Sequence, residues 1–166
     1  MSFDENHQHK TIGIIGFGAF GQLIAHYLSP YYRLYANDPV ARPDNVAGAL
    51  SVTLATIKDT AGCAIVILAT PVSTLEGVVR AIAPHLRPGA LVMDVGSVKV
   101  GPANIMLKGL PDHVDIVATH PLLGPQSARN GIAGMKIAIC PVRGTRALRI
   151  GAFLRKQMAL DVIMTT

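Results

Sequence analysis

Charge is scarce in this chain. Charged residues make up 15% of its 166 positions and hydrophobic ones 50%, where an average soluble domain carries roughly 25% charge. That is more apolar side chain than a domain of this length usually exposes. Part of the surface is therefore expected to be covered by a second copy in a homodimer or by a partner domain. Aromatics are also few, four Tyr and four Phe with no Trp, and the basic residues are dispersed rather than interleaved with them. No zinc-finger, RRM-like or basic-helix pattern appears. The excess of 15 Lys and Arg over 10 Asp and Glu thus points to a small acidic ligand, and no nucleic acid is expected as a partner. The densest basic group, Arg143, Arg146, Arg149, Arg155 and Lys156, reads as the wet face of a late helix.

Other absences narrow the class further. The two cysteines, Cys63 and Cys140, lie in apolar runs without metal-like spacing and read as reduced core thiols. His26, His85, His113 and His120 show no ligand spacing with carboxylates, so no metal site is expected. No apolar run approaches the roughly 18 to 20 residues that span a bilayer. The polar start SFDENHQHK holds no signal-peptide core, so no membrane association and a cytoplasmic location are expected. The length suits one domain, divided here into a loose lead-in, residues 1–10, and a dinucleotide-binding domain, residues 11–166.

What the chain does have is a dense glycine corner. Thr11 to Gly21, TIGIIGFGAFG, reads as a buried strand, a tight turn and the first turn of a helix, with Gly16, Gly18 and Gly21 in G-x-G-x-x-G spacing. The first glycine permits a sharp exit from the strand, the second lets backbone amides approach a pyrophosphate, and the third lets helix and strand pack closely. Diphosphate would sit on the helix N-terminus, whose unpaired N–H groups favour an anion. Gly16, Phe17, Gly18, Ala19, Phe20 and Gly21 are accordingly candidate cofactor residues. A second strand, Tyr32 to Asn37, ends at Asp38, close to the offset at which a carboxylate binds the adenosine ribose. A carboxylate there suits NAD and repels the extra phosphate of NADP. Arg42 is the nearby residue that would reverse that preference.

Further along, strand-like and helix-like stretches alternate. Ala19 to Leu28 continues as a helix, Val46 to Leu50 is a short helix, and Val52 to Leu54 a short strand or connector. Ala64 to Leu68 is a continuous apolar run of the kind found in parallel strands covered on both faces. Ala69, Thr70 and Pro71 close it, and they should line the cofactor cleft at the strand's carboxyl end. Val72 to Ala83 has helical spacing at Val72, Leu75, Val79 and Ile82, and Leu91 to Asp94 is the next strand. It leads into DVGSVK; Val100 to Leu110 is helical. The strand Val114 to Ala118 then empties into Thr119, His120 and Pro121. A glycine-rich loop, LLGPQSARNGIAG, is too polar and punctuated for core, and a long loop at a ligand edge is usually functional. Met135 to Cys140, Thr145 to Met158 and Asp161 to Met164 read as strand, helix and strand. The fold class is α/β, a doubly wound, mainly parallel sheet of Rossmann type.

The pieces GFGAFG, LATPV, DVGSVK and THPLLGPQSARNGIAG together resemble the prephenate and arogenate dehydrogenases of tyrosine biosynthesis, in order and spacing, from about residue 11 to 140. The resemblance implies NAD(P)-dependent oxidative decarboxylation of a cyclohexadienol to a phenol. Hydride passes to nicotinamide, the hydroxyl loses its proton, and carbon dioxide leaves as the ring becomes aromatic. It places the family's catalytic histidine on His120, a side chain able both to accept and to donate a proton, and its motif serine on Ser97. Both would also touch substrate. Where the family commonly has a glutamate, this chain has Gln126, an amide that can hydrogen-bond but carries no charge. The family's C-terminal helical domain, which supplies substrate-binding residues, has no counterpart in these residues. Two other readings remain: an NAD-binding module without turnover, and another small β-hydroxyacid-type dehydrogenase, which would lack the DVGSVK and HPLLGP pair.

Overall fold

The apolar runs are short and most are bounded by glycine or proline, a pattern that favours strands pairing into one sheet over helices. The computed structural model describes residues 11–40, 44–97 and 100–166. The lead-in 1–10, Arg42 and Lys99 lie outside the described residues. Among the described residues, eight strands form the sheet: Thr11–Ile15 (β1), Arg33–Asn37 (β2), Val52–Leu54 (β3), Ile65–Leu68 (β4), Leu91–Asp94 (β5), Asp115–Pro121 (β6), Lys136–Arg143 (β7) and Asp161–Met164 (β8). Their order is β3-β2-β1-β4-β5-β6-β7-β8. Every neighbouring pair is parallel except β6 and β7, which are antiparallel. The order reverses between β1 and β4, and ligands of such sheets bind outside the strand carboxyl ends at that point.

The central strands are apolar on both sides because both faces are covered. Ile65 and Ile67 join Ile12, Ile14, Leu91 and Val117 in one core, under the helices Ala19–Leu28 (α1) and Ala147–Met158 (α6). Val66 and Leu68 join Ile15, Val92, Ile116 and Ala118 in the other. That second face lies under Ile57–Ala61 (α3), Leu75–Ile82 (α4) and Val100–Gly109 (α5); Asp44–Ala49 (α2) links β2 to β3. The alternating side-chain period sends successive residues of one run into different cores. Between α1 and α6 runs an apolar cleft of about 130 Å³, walled by Leu23, Tyr27, Phe153 and Leu154 over Ile67 and Met93.

Several expected boundaries move. The helix expected over Val72 to Ala83 is a 3-10 turn, Val72–Thr74, followed by α4 and a second 3-10 turn, Ala83–His85. Leu75, Val79 and Ile82 face the core, but Val72 is 41% exposed. The Thr74 N–H and Oγ1 both donate to the Pro71 carbonyl, at 3.0 and 2.8 Å, closing a 3-10 turn before the α-helix begins at Leu75. β6 does not empty at Ala118 but continues through Thr119, His120 and Pro121, paired with β7. α3 was not expected at all; Thr56 caps it, its Oγ1 accepting the Asp59 N–H at 3.1 Å. The glycine-rich loop also departs from expectation, since its Ala128 and Ile132 are buried.

The basic group is likewise only partly a wet helix face. Arg149, Arg155 and Lys156 are exposed on α6. Arg143 instead lies in β7, where its Nε donates to the Val114 carbonyl at 2.9 Å, and Arg146 pairs with Asp115 at 3.1 Å. Both fasten the antiparallel end of the sheet. Of the two thiols, Cys63 is buried and Cys140 half-buried. Burial pushes the Cys63 thiol above its ordinary range. Iodoacetamide at neutral pH is therefore expected to label Cys140 before Cys63 in the native chain; mass spectrometry showing Cys63 modified first would contradict this.

Candidate functional site

β1 leaves the sheet at a corner that only glycine fits. Gly16 has φ +102°, and its N–H donates to the Asn37 carbonyl at 2.8 Å. A Cβ on Gly16 would lie 2.5 Å from the Ala69 carbonyl oxygen and 3.1 Å from Thr70 Cγ2. One on Gly21 would be driven onto the Gly16 carbonyl oxygen. The end of β4, where the Ala69 N–H donates to the Ile15 carbonyl at 2.8 Å, thus lies directly against the glycine turn. Gly18 is the N-cap of α1 and supplies no side-chain cap, and no acidic side chain occupies the first turn. The helix's first N–H groups are left to whatever anion meets them.

The other predicted cofactor residues divide by exposure. Phe17 is fully buried in the core, and its backbone N–H donates to Asp38 Oδ2 at 2.6 Å. Asp38 Oδ1 accepts the Val40 N–H at 2.8 Å. The carboxylate is therefore fixed against the glycine turn. Ala19 and Pro71 are exposed, and Phe20 is half-buried at the apolar cleft. Thr70 Oγ1 is buried without a hydrogen-bond partner among the described residues. An orphaned hydroxyl, a corner with no room for Cβ atoms and an uncapped helix start together fit a dinucleotide diphosphate.

The second half of the site lies at the ends of β5 and β6. Ser97 is exposed three residues past β5, and His120 is half-buried within β6, opposite Ala138 of β7. Gln126 is exposed in the loop after β6, in a turn where the Gly124 N–H donates to Ser127 Oγ at 2.8 Å. At the same strand ends lie two residues not singled out by the sequence pattern, Asp94 at the end of β5 and Thr119 next to His120 in β6. Asp94 Oδ1 accepts the Thr119 N–H at 3.3 Å, its Oδ2 accepts the Gly96 N–H at 3.2 Å, and Thr119 Oγ1 donates to the Asp94 carbonyl at 2.6 Å. Their signal was a carboxylate and a hydroxyl at the heads of DVGSVK and THPLLGP, each following an apolar run.

The family profile described as "Prephenate dehydrogenase, nucleotide-binding domain" matches residues 33–155. The chain belongs to this family. The match begins at Arg33, past the glycine corner, so the reading of that corner rests on its own geometry. Among curated relatives, arogenate dehydrogenase 1, chloroplastic, of Arabidopsis thaliana is 32% identical over 149 residues, 84% of this chain and 23% of the relative. A probable arogenate/prephenate dehydrogenase of Methanocaldococcus jannaschii is 33% identical over 122 residues, 70% of this chain and 27% of the relative. This prephenate dehydrogenase family domain thus spans about a quarter of each, by those same shares. The fold is shared with the Synechocystis arogenate dehydrogenase, at TM-score 0.78, 20% identity, 94% of this chain and 59% of that one. It is shared too with the Aquifex aeolicus prephenate dehydrogenase in complex with hydroxyphenyl propionate and NAD+, at TM-score 0.77, 19% identity and shares of 95% and 60%. Among the described residues no helix is long and apolar enough to cross a membrane.

Proposed function

We propose that this chain is the cofactor-binding part of an NAD-dependent prephenate or arogenate dehydrogenase of tyrosine biosynthesis. The observation that carries the reading is the fixing of Asp38 against the glycine turn, on a sheet whose β6 carries His120. The corner residues Gly16 to Gly21 would hold the diphosphate on backbone amides, with Ala69, Thr70 and Pro71 closing the opposite side. When bound, NAD supplies a hydride acceptor, and aromatisation with loss of carbon dioxide supplies the driving force. The chain's task is placement and proton handling. Neutral His120 accepts the proton of the substrate hydroxyl, Ser97 orients that hydroxyl and the imidazole, and Gln126 offers an uncharged amide to the acidic substrate.

NAD is favoured over NADP because the Asp38 carboxylate accepts ribose hydroxyls and repels a phosphate at the same place. Asp38→Ala is expected to weaken NAD by about 10- to 100-fold, the worth of a charged hydrogen bond of about 1.5 to 3 kcal/mol, and to weaken NADP less. Titration of both dinucleotides checks this, and a preference of the unmodified chain for NADP would overturn it. The apolar cleft between α1 and α6 supports covering by a second copy or a partner domain, and the setting proposed is cytoplasmic. The test of the whole reading is NAD binding by this chain and NADH formation with prephenate or arogenate by a full-length form that contains it. NAD binding without product in that full-length form would make this a binding module, and no NAD binding by this chain would end the reading.

A further inference from the structure

We propose that Asp94 is a positioning residue that couples Ser97 to His120, so that one buried carboxylate sets the placement of both. The inference rests on the dehydrogenase reading above for its purpose, while its geometry stands without it. β5 and β6 are in register through Asp94 and Ala118. There β5 stops and turns into Gly96 and Ser97, whereas β6 continues for Thr119, His120 and Pro121, paired on one edge with Ile139, Ala138 and Ile137 of β7. Its other edge has lost its strand partner. The Asp94 carboxylate takes that place, accepting the Thr119 N–H with one oxygen and the Gly96 N–H with the other. The Thr119 hydroxyl returns a bond to the Asp94 carbonyl, closing a ring of hydrogen bonds between the two segments.

Burial makes this arrangement strict. Asp94 is 2% exposed and Thr119 0%. A carboxylate out of water is costly unless its oxygens are bonded, so swinging either segment away costs the buried Asp94 carboxylate a bond it accepts. The imidazole therefore stands on a strand held at both edges, and Ser97 leaves from the same carboxylate one residue past Gly96. A shift of about 1 Å in such a pair is worth about 100-fold in rate, which is what a shared tether prevents. The mere closing of a strand end would need only the Thr119 contact. The second bond, to Gly96, is what ties the serine loop in.

The test uses the whole 166-residue chain, ligand-free, by NMR and amide hydrogen exchange, with Asp94→Asn, Thr119→Val and Thr119→Ser. In Asp94→Asn a single carboxamide oxygen cannot serve both amides. Exchange at Gly96 or Thr119 is expected to quicken by about tenfold, and the signals of Ser97 and the His120 ring to move together. Thr119→Val, which keeps volume and leaves the carboxylate in place, is expected to move the same two residues, and Thr119→Ser to restore them. β1 amides should keep their protection throughout. Movement of only one of Ser97 and His120, of neither, or equal loss of protection across β1 would overturn the coupling. Failure of the unmodified chain to bind NAD would overturn the dehydrogenase reading and leave the exchange result standing.

Discussion

In a full-length enzyme carrying this domain, replacing His120 by asparagine is expected to cut NADH formation from prephenate or arogenate by about 10²- to 10⁴-fold, the usual worth of a positioned general base, with NAD affinity nearly unchanged. Asparagine keeps a polar side chain on β6 but cannot accept a proton near neutral pH. The dinucleotide corner is built from β1, β2 and β4, and β5 stands between it and β6. Losing the imidazole therefore removes a proton acceptor without touching the groups that would hold diphosphate or ribose. Steady-state rates and a separate NAD titration check the split. Equal loss of rate and affinity would take His120 out of the chemistry and make it part of the cofactor site.

What could be read in the sequence was what short-range pattern controls. Ile65–Leu68 is apolar throughout because two cores claim alternate residues, and such a run announces a buried parallel strand. Gly16 announced its own φ, since few other residues adopt it. The features missed are set by partners far away in the chain. α3 is five residues with polar Lys58 and Asp59 in the middle, too short to show a stripe. Arg143 and Arg146 looked like helix-face charge until β6 and β7 brought Val114 and Asp115 beside them. Asp94 and Thr119 are 25 residues apart and meet only because β5 and β6 are neighbours. The strand containing His120 was cut short for the same reason: its continuation is held by β7 and by a side chain, neither of which has a local signature.

The largest stability effect is expected at a glycine outside the nucleotide motif. Gly13 lies in the middle of β1, paired with Tyr35 of β2 and Val66 of β4, and a Cβ there would be driven onto the Thr60 carbonyl oxygen of α3. That oxygen belongs to backbone, so no rotamer change removes the clash. Thr60 is fully buried and pinned in turn, its N–H donating to the Thr56 carbonyl at 2.9 Å and its Oγ1 to the same oxygen at 2.8 Å. Gly13→Ala must therefore lift α3 from β1 and β2, with an expected cost of about 1 to 3 kcal/mol. For a domain of this size that lowers the melting temperature by roughly 2 to 12 °C. The control is Gly77→Ala in α4, where a Cβ meets nothing within 4 Å. There alanine is expected to stabilise by about 1 kcal/mol through helix propensity. Thermal unfolding of the two variants followed by circular dichroism should thus shift in opposite directions. Were Gly13→Ala to melt with or above the unmodified chain, the close packing of α3 on β1 would be wrong, and with it the account of why the strand leading into the glycine corner has no side chain at its centre.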